Sequence, residues 1–191
     1  MSERRGSEMS GRGQAIIPSV VAALWSYVVL DFAIHAVVLA SWWRDTAAFS
    51  LSPIEMAKRI PVGYASFAIY CLGLCVLLAS ERWARATVLT GVRLGAMVGA
   101  AFGLTFALGV YSIARVPRSF LLLGPVSTAI CSAAAGGTAA WILAGVRRWR
   151  RVGLVVIGGL VVLILAVVAQ NVLRIYPASQ QIVEPCEQPG T

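Results

Sequence analysis

Apolar residues fall along this chain in five long runs: Ile16 to Trp43, Ile60 to Ala79, Val92 to Ala114, Phe120 to Val146 and Val152 to Leu173. Each is long enough for a helix rising ~1.5 Å per residue to cross a hydrocarbon core ~30 Å thick. Inside lipid every backbone N–H and C=O must be satisfied within the protein, which rules out open strands and loops as spanning elements. Strands of a transmembrane barrel would be only ~10 residues long and would alternate polar with apolar positions. The pattern therefore predicts an all-α, polytopic transmembrane bundle of five helices over residues 16–174. A basic segment, 1–15, precedes it, and a tail at 175–191, rich in Pro, Gln and Glu, reads as flexible.

The breaks between runs refine this. Ser52-Pro53-Ile54-Glu55 has the form of a capping box with proline at the first helical position, so a helix starts there. It is either a short interfacial helix ending near Pro61 or one kinked helix that continues into the second span. The connections Arg115 to Ser119 and Arg147 to Arg151 are short, which makes helices three, four and five antiparallel neighbours. Trp42, Trp43, Trp83 and Trp149 stand at run edges, where an indole suits the headgroup layer.

Composition agrees with lipid as the main solvent: 59% of the 191 residues are hydrophobic, 13% are charged, and mean hydropathy is +0.80. A net charge of +8 in a soluble protein would raise nucleic-acid binding. Here the basic residues sit at span ends, and no basic patch is interleaved with aromatics, so no nucleic-acid partner is expected. With the N-terminus inside, ten Lys and Arg fall on the inner side and six on the outer, including the RRWRR cluster on the inner side. That bias predicts a cytoplasmic N-terminus, an external C-terminus and residence in a bacterial inner membrane. The first run carries Asp31 and is too long for a secretory h-region, so it reads as a retained helix. Cys71, Cys75 and Cys131 lie within spans and read as small packing residues; Cys186 falls in the tail.

Gly91, Gly95, Gly99 and Gly103 recur every fourth residue in helix three, and helix four answers with Ser132, Gly136, Ala140 and Ala144. Such a glycine-zipper pattern is a packing groove, because backbones without side chains approach closely and gain dispersion contacts. It serves a contact inside one bundle or an interface between copies.

Helix one contains LDFAIH, in which Asp31 and His35 are four residues apart and share a face with Tyr27. An ionisable group deep in the bilayer costs ~2.5 to 3.5 kcal/mol by insertion scales, so it is paired, buried or functional. With ~1.5 Å of rise per residue, Asp31 lies ~4 Å and His35 ~10 Å outward of the midplane. Tyr64 at ~9 Å, Thr105 at ~4 Å and Thr128 at ~7 Å share that half, which predicts one polar cluster. Asp31 and His35 then either fix helix packing or form a proton relay or a site for a small polar or cationic solute. Arg115 and Arg118, in the external connection between helices three and four, are within reach of Asp31, and a pair with it would favour packing.

A metal site joining Asp31 and His35 to Cys71 and Cys75 fails on height, since Cys75 lies roughly 18 Å from the level of His35. No catalytic signature is present, neither a nucleophile elbow nor a zinc helix, P-loop or dinucleotide fingerprint, so no enzyme, metal or cofactor is expected.

Across LDFAIHAVVLASWW and GVRLGAMVGAAFGLTFALGVYSIARVP, roughly Leu24 to Gly145, the chain resembles small uncharacterised bacterial multi-pass membrane proteins with an Asp-x-x-x-His first helix and a glycine-rich third helix. The resemblance implies a four-helix bundle to which a fifth helix and a tail are added, and no activity. The expectation that follows is a non-enzymatic bundle or subunit of a membrane assembly, in contact with lipid and with further copies or other chains. The alternative is a small oligomeric transporter that uses Asp31 and His35. A membrane-embedded enzyme is the least favoured reading.

Overall fold

The structure, a computed structural model, describes residues 2–40, 53–80, 87–113 and 116–173, with side chains from residue 15 in the first of these segments and from residue 58 in the second. The described residues are helical and contain no strand. Helix α1 (Ser2–Ala33) passes through Pro18 and ends in a π-helical turn, Ile34–Val38, closed by the Leu39 amide on the Ile34 carbonyl at 2.8 Å. It is followed by α2 (Pro53–Ala79), α3 (Val88–Ile113), α4 (Phe120–Leu143) and α5 (Arg148–Val172). Five segments are long and apolar enough to cross a membrane: Ala15–Val38, Lys58–Ala79, Val88–Ser112, Phe120–Leu143 and Arg148–Val172.

Two boundaries are informative. α2 is one continuous helix from Pro53 through Pro61 into the second span, rather than a separate interfacial helix followed by a span. Ser52 and the Glu55 side chain lie outside the described residues, as do Trp42, Trp43, Trp83, Arg115 and the tail with Cys186. α5 takes in Arg148, Arg150 and Arg151 as its first turn, with Arg147 capping it.

α1 and α4 form the centre. α4 carries α3 on one side and α1 on the other, α2 lies against both α1 and α4, and α5 lies mainly along α1. The pairing of α1 with α4 is antiparallel, with Ala22 near Ile142 and the Ser26 hydroxyl 3.1 Å from that of Thr138. α5 instead runs parallel to α1, as Val152 packs near Ala22, Gly159 meets Trp25 and Gln170 reaches Ala36. Its contact with α4 centres on their shared turn, so sequence adjacency explains less of its placement than α1 does.

The interior is built from small residues. Ala23, Cys71, Cys75, Cys131, Ala135 and Ala139 are fully buried around Tyr27, Leu74 and Leu78. Apart from Leu74, Leu78 and Ile142, most large aliphatic residues face outward, above all along α5. Lipid tails are as apolar as Leu, so nothing drives large side chains inward; close backbone approach does the packing instead. The α3–α4 seam shows this, since a Cβ added at Gly91, Gly95 or Gly99 would overlap Gly136, Ala140 or Ser132.

Candidate functional site

Asp31 and His35 stand on the last regular turn of α1 and the π turn that follows. His35 Nδ1 lies 2.9 Å from the Asp31 backbone carbonyl and 3.2 Å from its carboxylate Oδ1. Both contacts span four residues, so the local helix alone sets the pair. The His35 and Asp31 side chains retain 30% and 29% of their exposure. π turns are rare and recur at functional sites, because the extra residue re-aims side chains and releases backbone carbonyls. One such carbonyl, that of Ala36, accepts a hydrogen bond from Gln170 Nε2 of α5 at 2.8 Å.

Toward the bundle centre, the pair continues into aromatic packing. Tyr27 is buried, with its ring 4.8 Å from that of Phe67 and 5.9 Å from that of Tyr70. Tyr70 donates to the Ser132 hydroxyl at 2.8 Å and stacks 5.6 Å from Phe102 of α3. A single hydroxyl–hydroxyl bond thus joins α2 to the α3–α4 seam.

The six residues at similar heights do not form one cluster. Tyr27, Asp31 and His35 share the α1 face, whereas Thr128 lies in the α3–α4 seam against Gly103 and bonds back to the Gly124 carbonyl at 2.9 Å. Thr105 is exposed and bonds to its own helix at Ala101, 2.9 Å away, and Tyr64 is 49% exposed. Azimuth, not height along the normal, decides contact. α3 packs on α4 through Gly103 and Ala107, so Thr105, halfway between them, points away. Around Tyr64, every residue from Lys58 to Ser66 is exposed, and a Cβ at Gly63 would meet nothing. Arg118 is exposed and does not make the expected pair with Asp31; the ion partner of Asp31 is His35.

Cys71, Cys75 and Cys131 are free thiols buried in the packing core, and no three His, Cys, Asp or Glu among the described residues are placed to hold a metal. Gln170 is the residue that sequence reasoning missed; the amide pair Gln170-Asn171 in the very apolar fifth run was its signal. Replacing it with Leu should lower stability by about 1 kcal/mol, because the Ala36 carbonyl loses a donor. Thermal unfolding in detergent measures this, with Asn171→Leu as the control. Asn171 is exposed and bonds only to its own helix at Val167, so its loss should leave the midpoint nearly unchanged.

No known protein family matches this chain, and neither the curated proteins nor the solved structures contain a match to it.

Proposed function

We propose that the protein is a non-enzymatic subunit of a membrane assembly, which receives a partner helix along the open flank between α1 and the Lys58–Ser66 stretch of α2. The observation that carries this reading is the Asp31 carboxylate, whose side chain keeps 29% of its exposure within a membrane-spanning segment. A carboxylate left to face hydrocarbon is costly, and a partner that covers it or bonds to it removes the cost. The basic bias of the connections supports a cytoplasmic N-terminus and a bacterial inner membrane for this assembly.

A second reading, a small oligomeric transporter with a proton-coupled pathway through Asp31 and His35, is favoured by the π turn at His35. Substitution at Asp31 separates the two. In an assembly, Asp31→Asn keeps a hydrogen-bonding group and should co-purify partners from native membranes as the wild type does. Asp31→Leu should lose more than about tenfold of them, because a bond to a charged group is worth ~1.5 to 3 kcal/mol. In a transporter, Asp31→Asn should abolish pH-dependent solute flux in proteoliposomes while insertion stays normal. Equal recovery of partners by Asp31→Leu and the wild type would refute the assembly reading.

A further inference from the structure

The turn between α4 and α5 concentrates positive charge at one end of the bundle. Arg151 is turned inward there: its guanidinium sits 5.0 Å over the Trp141 ring, donates to the Trp141 carbonyl and rests against Gly145. That single side chain holds the end of α4 to the start of α5 and satisfies a carbonyl that the helix terminus would otherwise leave open. With Arg151 so engaged, Arg147 and Arg150 are left exposed on the outer surface of the turn. Between them stand two apolar residues that are also exposed, Val146 at 97% and Trp149 at 65%.

Among the described side chains, no carboxylate lies at this end of the bundle to neutralise these arginines. The sequence has no Asp or Glu between Glu81 and Glu184, so α3, α4, α5 and their connections supply no acid. Asp31 is the sole carboxylate among the described side chains; it lies toward the opposite end of α1 and is bonded to His35. The turn joins two spans, which puts it at the level of lipid phosphates, and an exposed indole beside an exposed valine suits the boundary between headgroups and acyl chains. A soluble polyanion would leave both apolar residues uncovered.

We propose that the exposed turn around Arg147, Trp149 and Arg150 is a docking surface for anionic phospholipid headgroups, with Arg151 as the residue that positions it. The inference is independent of the assembly reading, which concerns the other end of the bundle. Native mass spectrometry of the full chain, released from equal mixtures of phosphatidylglycerol and phosphatidylcholine, tests it. Phosphatidylglycerol should be retained preferentially, and Arg147→Ala and Arg150→Ala should each weaken that preference about fivefold, from the known attraction of single basic residues to anionic membranes. Arg147→Lys with Arg150→Lys should retain most of it, which separates charge recognition from a folding defect. Arg151→Ala should lower thermal stability in pure phosphatidylcholine as well. Equal retention of the two lipids, an unchanged preference in the double alanine variant, or displacement of the lipid by inorganic phosphate at millimolar concentration would each overturn the proposal.

Discussion

Gly95→Val is expected to detach α3 from the bundle. At Gly95 the atoms that block a side chain are the Ser132 carbonyl and the Cα of Ala133, both backbone of α4. Neighbouring glycines repeat the constraint: a Cβ at Gly91 would overlap the Gly136 carbonyl, and one at Gly136 would overlap the carbonyl of Gly91. Backbone cannot rotate aside as a side-chain terminus does, so the helices must separate along the whole seam. Overpacking of a tight core costs ~1 to 3 kcal/mol, and this site belongs at or above the upper end. α3 also has little else to hold it, since α4 is the only described helix it packs on extensively, with the Tyr70–Phe102 ring contact and the packing of Leu94 on the core as additions. Gly109→Val supplies the control within the same helix. A Cβ there meets nothing within 4 Å, so the same substitution should shift stability by less than ~0.5 kcal/mol. Reversible unfolding in mixed micelles measures both, and equal shifts for the two variants would contradict a seam closed by backbone contact.

This contrast also explains what could be read from the residues alone. Five helices were legible because lipid imposes a length and an internal hydrogen-bonding requirement that no other arrangement meets. The glycine interval in α3 was legible for a related reason, since a four-residue spacing marks one face whatever surrounds it. Azimuth was not. In a soluble bundle, apolar residues mark the buried face, but here Ile130, Leu122 and Val126 of α4 face lipid while Ser127, Ser132 and Gly136 lie inside. Hydropathy therefore carries no sign of which way a helix is turned, and Thr105 and Tyr64 were placed by height into a cluster they do not join. The π turn at Ile34–Val38 was equally hidden, because its sequence, IHAVV, has nothing to distinguish it from regular helix. The Asp31–His35 spacing survived because both residues stand on one element, where four residues fix a shared face without help from the rest of the fold.

Trp25 and Gly159 should show strong coupling across the α1–α5 contact. The Trp25 indole N–H is buried and has no acceptor, and its ring edge lies where a side chain at Gly159 would be. The absent Cβ is therefore what admits the ring, and α5, with so little of its surface buried, relies on that contact and on Gln170 to stay beside α1. Gly159→Ala in the wild-type background forces the stiff indole to shift and should cost ~1 to 3 kcal/mol. Trp25→Phe removes the unpaired donor together with the edge that blocks position 159, so relief of the buried N–H offsets the lost ring area and the single variant should be close to neutral. In the Trp25→Phe background, Gly159→Ala should then be tolerated. A double-mutant cycle on unfolding free energies reads the difference as an interaction of ~1 kcal/mol or more, within the range for residues in direct contact. Additive effects in that cycle would mean that the indole does not stand over Gly159, and α5 would have to be held to α1 by other contacts.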